Sequence, residues 1–390
     1  MFEIFKPGLY VDFMGKMRLL TGLSAAVVVA SIAIIGVRGI NFGLDFVGGY
    51  EVEVKLPHPV GEPEIKGFIA PLGVEDARVQ RTGDQSGDEY LIFVRQHGTL
   101  KEADKAAIKK DIEALASGPE NIAALTMAES GETLHVELHK PVAESDLRAL
   151  FERRGLPIKS FVRSAREDAP TYDVEVVSLS SQIEQSLIKG LGLPADADIV
   201  RRVEFVGPQV GSQLRTQGLL ALLAALGFLL LYVAVRFDFY FSPGAIVALM
   251  HDVIVTLGVY ALFQIEFTMS TIAALLTIIG YSINDTIVVY DRVRENIAKL
   301  RGRELRHLVS TSVSETLSRT VLTSSTIAVV IALIIFGGRD LADFSVALLV
   351  GFVAGTYSSF SSAAPLYVVL RERFGARAGG ASASSTAAAG

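Results

Sequence analysis

The chain has 390 residues, half of them hydrophobic and only 20% charged, with a mean hydropathy of +0.42. This balance points away from an ordinary soluble protein and toward the membrane. A net charge of −6 without a basic block offers nucleic acid no footprint, and the absence of cysteine excludes disulfides, thiolate metal sites and cysteine nucleophiles.

Residues 1–18 form a basic N-terminus with Lys6, Lys16 and Arg18, read as cytoplasmic. The first span, 19–37, is too long for a signal-peptide core and lacks a small-x-small cleavage site, so it is expected to be retained. Residues 38–216 then form an outer, periplasmic region. An ungapped shift of 82 residues lays "EVEVKLPHPVGEPEIKGF" over "TLHVELHKPVAESDLRAL", matching Pro59, Val60 and Glu62 to Pro141, Val142 and Glu144, and Tyr90 to Tyr172. Each copy reads as βαββαβ, so the expectation is an α+β domain of two tandem ferredoxin-like repeats, about 50–130 and 132–210.

Residues 217–370 supply five more spans, at 217–235, 244–263, 267–290, 318–337 and 344–370, giving a polytopic α-helical membrane protein with six transmembrane helices. Arg292, Arg294, Lys299, Arg301, Arg303 and Arg306 between spans four and five, with Arg371, Arg373 and Arg377 in the tail, place both termini inside. The turn "GRDLAD" at 338–343 is then outside, and the low-complexity tail within 371–390 is expected to be disordered.

Asp285 precedes the expected end of span four by about five residues, roughly 8 Å inside at ~1.5 Å per residue. An acid near the centre of a span costs roughly 2.5–3.5 kcal/mol to insert. Ser282, Asp285 and Thr286 share a helix face, with Asn284 beside the acid. Asp252, next to His251 in "ALMHDVIVTLGVY", enters span three from the same side and continues as a stripe through Thr256 and Tyr260. Arg319 in "SETLSRTVLTSSTIAVV" has a comparable depth, with Thr323 and Thr326 following on its face. Two readings stand for each group: a snorkelling or capping carboxylate against a functional one, a structural His–Asp pair against a proton-exchanging one, and a flanking positive charge against a partner for the acids.

Two glycine-rich junctions frame the outer region: Gly43, Asp45, Gly48 and Gly49 in "FGLDFVGGYEVEV", and Gly207, Pro208 and Gly211 in "VEFVGPQVGSQLR". They read either as strand-to-membrane turns or as a hinge. "GFVAG", Gly351 to Gly355, has the spacing for close approach of helices within the chain. The sequence has no metal-ligand cluster, nucleophile elbow or phosphate loop, so no cofactor is expected, and energy would come from an ion gradient.

The stretches "NFGLDFVGG", "VEFVGPQVG", "ALMHDVIVTLG", "IIGYSINDTIVVYDRVREN", "ETLSRTVLTSSTIAVV" and "GFVAGTYSS" occur in this order and at these positions. They resemble the SecD/SecF family of bacterial protein translocase subunits, on its SecF side, a family related to the RND superfamily. The resemblance implies an inner-membrane subunit without its own ATPase, paired with SecD and associated with the SecYEG channel and with YajC. It also implies use of the proton motive force to help preproteins out on the far side, while SecA spends the ATP. The family's proton-path acid falls on Asp285 and its partner arginine on Arg319, while Asp252 falls on a characteristic position whose role the resemblance does not give. The double outer repeat departs from the family's usual single outer domain. Half of an RND-type exporter, or a non-conducting assembly subunit, would share the buried charges, and protons are not distinguished from sodium ions.

Overall fold

The computed structural model describes residues 10–74, 77–82, 88–95, 102–128, 130–154, 156–164, 170–236, 240–300 and 302–374. In chain order the elements begin with α1 (Met17–Arg38), α2 (Leu44–Val47), β1 (Gly49–Lys55), α3 (Glu62–Ile69), β2 (Arg78–Thr82) and β3 (Glu89–Val94). They continue with α4 (Glu102–Leu115), β4 (Ile122–Met127), β5 (Thr133–Leu138), α5 (Glu144–Arg153), β6 (Ile158–Ser164), β7 (Thr171–Val176), α6 (Leu179–Gly190) and β8 (Val200–Val206). The last six are α7 (Pro208–Arg236), α8 (Ser242–Phe263), α9 (Met269–Lys299), α10 (Leu305–Ser324), α11 (Ile327–Phe336) and α12 (Gly338–Ser358). The chain divides into two units, one of residues 1–43 with 216–390 and one of Leu44–Arg215.

Among the described residues, six helical stretches are long and apolar enough to cross a membrane: Met17–Arg38, Gln209–Arg236, Ser242–Phe263, Met269–Lys299, Leu305–Phe336 and Leu341–Phe374. Several run past the expected boundaries. The helix α9 reaches Lys299, well beyond 290, and α10 begins at Leu305 rather than near 318. Span five is broken at Ser325 and Thr326 between α10 and α11, where each hydroxyl bonds a carbonyl three residues back. "GRDLAD" is not a turn but the opening of α12. The last span carries a single π-helical turn, Ser359–Ala363, before it resumes as helix to 374. The tail expected to be disordered lies, from 375 on, outside the described residues.

The second unit contains two four-stranded antiparallel sheets, ordered β2-β3-β1-β8 and β4-β5-β7-β6. The repeat is real in its elements, but the tandem arrangement is not what forms. The closing helix and strand of each expected copy complete the other copy's sheet. The last strand, β8, pairs with β1, setting Gly49 opposite Val206 and Val52 opposite Val203. Strand β4 pairs with β5. Leu179, Ile183 and Leu187 of α6 are buried with Tyr50, Val52 and Val54, and Ile108 and Ile112 of α4 with Leu134 and Val136. The first sheet is therefore β1-α3-β2-β3-α6-β8, with residues 95–178 inserted after its third strand. The inserted part, α4-β4-β5-α5-β6-β7, carries its closing helix and strand at its front instead of its end.

The physical reason lies at the ends of the region. Pairing β1 with β8 brings the strand entering the unit beside the strand leaving it. The rings of Tyr50 and Phe205 meet with centroids 4.6 Å apart, and the Arg215 guanidinium donates to the Phe46 carbonyl. The two glycine junctions thus form one clasp. Gly48 ends α2 at φ +75°, and Gly49, at φ +122°, lies so close to β3 that a Cβ would come within 2.2 Å of the Val94 carbonyl oxygen, a position for glycine alone. The second junction is not a turn: Pro208 and Gly211 lie in the first turns of α7, where a proline costs no hydrogen bond.

Candidate functional site

The chemistry-bearing residues of the membrane unit gather where α1, α8, α9, α12 and the π-helical turn meet. Their positions follow from local sequence. Thr268 and Thr271 form a reciprocal capping box that fixes the start of α9. Pro243, at the first turn of α8, fixes that helix's start. Close packing of α12 on α9 follows from its glycines: a Cβ on Gly351 would come within 2.3 Å of Ile278, and one on Gly355 within 3.0 Å of Ser282.

Asp252 is 1% exposed. One carboxylate oxygen accepts from the hydroxyls of Ser282 on α9 and Ser358 on α12, the latter at 3.0 Å. The other oxygen lies 2.9 Å from His251 Nδ1. The second imidazole nitrogen is 3.4 Å from Ser24 of α1, and Ser24 in turn reaches Ser361 at 3.0 Å and Ser362 at 3.2 Å. A continuous buried hydrogen-bond chain therefore links four elements through the His251–Asp252 pair. This satisfies an acid that would otherwise be prohibitive to bury.

Asp285 is 2% exposed and differently placed. One oxygen accepts from Thr323 on α10 at 3.5 Å, while the other, Oδ2, is buried with no hydrogen-bond partner, as is the hydroxyl of neighbouring Thr286. Ser282, whose hydroxyl holds Asp252, lies three residues before Asp285 on the same face, about 4.5 Å along the α9 axis at ~1.5 Å per residue.

Not every expected residue joins this site. Asn284 is exposed on the opposite side of α9. Thr256 bonds the Asp252 backbone carbonyl and not its carboxylate, and Tyr260 donates to the Asp343 carbonyl. Arg319 sits one turn before Thr323 on α10, but its side chain is exposed, and it makes no ion pair with Asp285 within 4.0 Å. Gly48, Gly49, Pro208 and Gly211 belong to the clasp described above, with Asp45 in α2 and Gly207 directly before α7, whereas the Gly43 amide donates to the Phe267 carbonyl at 3.0 Å. Sequence reasoning missed Ser24, Ser358, Ser361 and Ser362. The signal for the last three was the run "YSSFSSAAP" inside an apolar span, whereas Ser24 stands alone in "TGLSAAVVV".

Two family models match the chain: the C-terminal region of the SecD/SecF protein export membrane proteins over residues 193–373 and the SecD/SecF GG motif over 33–58. The second contains Gly48 and Gly49. The SecF protein translocase subunit of Koribacter versatilis is 36% identical over 386 residues, covering 94% of this chain and 93% of its own. That of Pseudomonas aeruginosa is 35% identical, with 90% and 88% covered. The chain belongs to the SecF family of protein translocase subunits. It is a multi-pass membrane protein of that family by its six apolar helices. Among solved structures, the crystal structure of SecDF, a translocon-associated membrane protein from Thermus thermophilus, aligns with a TM-score of 0.63 at 28% identity. It matches 95% of this chain, which spans 40% of the SecDF chain. SecDF in its super-membrane-facing form aligns with a TM-score of 0.50 at 26% identity.

Proposed function

We propose that this SecF family member works with a SecD-type chain beside the SecYEG channel in the bacterial inner membrane, drawing on the proton motive force to promote release of preproteins on the periplasmic side. The SecDF neighbour supports the pairing, because this chain corresponds to 40% of a single SecDF polypeptide. The observation that carries the coupling is the Asp285 carboxylate, buried with one oxygen unpartnered. A carboxylate in that setting gains more from a proton, or from an approaching cation, than one whose lone pairs are filled. Arg319, one turn from the Thr323 contact and free of an ion pair with Asp285, is the cation of this chain best placed to approach it. Protonation of Asp285 and its pairing with Arg319 are then alternative ways of satisfying one group. A rearrangement of α9 against α10 would switch between them and reach the outer unit through the clasp.

The test is preprotein release from vesicles holding the complete complex, with proton and sodium gradients collapsed in turn. Asp285→Asn should remove the gradient-dependent part of release while leaving the complex assembled, and full stimulation in that variant would sink the reading. Loss of stimulation on collapsing only the sodium gradient would replace the proton by sodium.

A further inference from the structure

The coupling site leaves His251 and its surroundings unused. The imidazole spans two environments: Nδ1 faces the Asp252 carboxylate inside the bundle, and Nε2 faces Ser24. Ser24 and His251 both line a groove of about 640 Å³ between α1, α8 and the last helix. Its walls are mainly apolar, but Arg18, Thr21, Ser24, His251 and Ser362 put polar groups along one side. Space for water requires room for a probe sphere and two to four polar partners; the groove has the room, and the hydrogen-bonded His251–Ser24–Ser362 cluster on its wall is where polar partners occur. The ring also borders a second cavity of about 420 Å³ that Tyr357 helps line. His251 is thus the side chain that stands between a solvent-sized space and the sealed carboxylate.

We propose that His251 is the relay through which the buried Asp252 carboxylate exchanges protons with the groove beside α1. The relay rests on the gradient-coupled reading above and adds a route to it. A protonated Asp252 passes its proton to His251 Nδ1 while Nε2 carries hydrogen. The resulting imidazolium releases the Nε2 proton to water in the groove. Asp252 is left ionised and the ring neutral, so one proton has moved from the bundle interior to the groove, and the ring resets by tautomer exchange. Imidazole is suited to this because one ring nitrogen can take up a proton while the other gives one up. The charged and titratable groups facing the ring are Asp252 on its own helix, Arg18 of α1 along the groove and Tyr357 of α12 with its ring centroid 6.3 Å away, while α9 packs there with Ser282. The π-helical turn contributes the serines Ser361 and Ser362. Ser282 places the Asp252 end of the relay one helical turn from Asp285.

The experiment is proton flux through the complete complex in sealed vesicles, followed between about pH 5 and 8. His251→Asn keeps an N–H at the Nδ1 position to hold Asp252 but cannot pass a proton through. Flux should fall by about a hundredfold, the scale of losing a positioned proton-transfer group, and its pH dependence should flatten. A purely structural His251 would leave both unchanged, and that result overturns the relay. Gly22→Leu is the second variant. Gly22 lines the groove, and a Cβ there meets nothing within 4 Å, so the added side chain fills the groove without displacing the bundle. It should lower flux with the complex intact, and wild-type flux in it also overturns the relay. If the wild-type complex itself carries no proton flux, the relay and the coupled reading fail together. If it does, and the two variants match it, only the relay fails.

Discussion

The hydroxyl of Tyr172 accepts the amide N–H of Val142 at 3.0 Å and donates to the carbonyl of the same residue at 2.8 Å. Tyr90 treats Val60 in the same way, at 2.7 Å in both directions. The two pairs, 82 residues apart in register, each use a core strand to fix the loop that leads from the first strand of a sheet to its helix. Removing either hydroxyl leaves an amide and a carbonyl unpaired. Tyr90→Phe should cost about 1–3 kcal/mol. Tyr172→Phe should cost less, because its bonds are only part-buried. Unfolding of the Leu44–Arg215 unit in each variant, followed by hydrogen exchange at β3 and β7, checks the order; equal and negligible losses would contradict it.

The exchange of closing strands can be read by cross-linking in a chain without native cysteine. Glu51 and Glu204 are register partners in β1 and β8. Opposed residues of an antiparallel pair have Cα atoms about 4.5–5.5 Å apart, within disulfide range. Glu51→Cys with Glu204→Cys should therefore cross-link under mild oxidation, and Glu51→Cys with Leu125→Cys should not. The reverse result would restore a tandem pairing of β1 with β4.

In the inserted sheet, hydrogen bonds from Lys159 at 2.7 Å and Ser160 at 3.0 Å hold the Glu175 carboxyl below the usual carboxylate range. A depressed folded-state pKa gives stabilisation that is present above the unfolded value, about 4.3, and is lost as pH falls through the folded value. The same bond raises Lys159, which stays charged throughout that window. The stability difference between wild type and Glu175→Gln, measured by exchange at β6 and β7, should be constant near neutrality and close below about pH 4. A difference that grew on acidification would contradict the assignment.

Gly351 has no room for a side chain against Ile278. Gly351→Val forces α12 away from α9 and costs about 1–3 kcal/mol as overpacking. The same displacement draws Ser358 off Asp252, since both α12 contacts lie on one face. Gradient-dependent release should fall more steeply than assembly, and a variant with wild-type release would show that the close approach is dispensable for coupling.

The six spans were legible because twenty apolar residues have few alternatives. Their ends were not: α9 and α10 continue as more polar helix beyond the apolar run, and hydropathy does not register that extension. His251 beside Asp252 was visible as a pair, and Asp285 as an expensive acid. Ser282 was visible too, but it was assigned to Asp285 by its helix face, whereas packing hands its hydroxyl to Asp252. Ser358 stood out in its serine run, but its bond to Asp252 could not be assigned without knowing which helix lies against α8. The repeat was legible down to individual residues such as Val60 and Val142. Its pairing was not, because alternating strands such as β4 and β8 fit either sheet equally well, and the choice is made by where the chain enters and leaves.

That choice sets a schedule for biogenesis. The inserted sheet is complete once residue 176 has been made, whereas β1, α3, β2 and β3 remain an open half until α6 and β8 follow. During synthesis the older segment waits, with one edge of β1 unpaired, while the younger module closes inside it. The last strand to be added is the one directly before α7, so the Leu44–Arg215 unit finishes folding only as the second span is made.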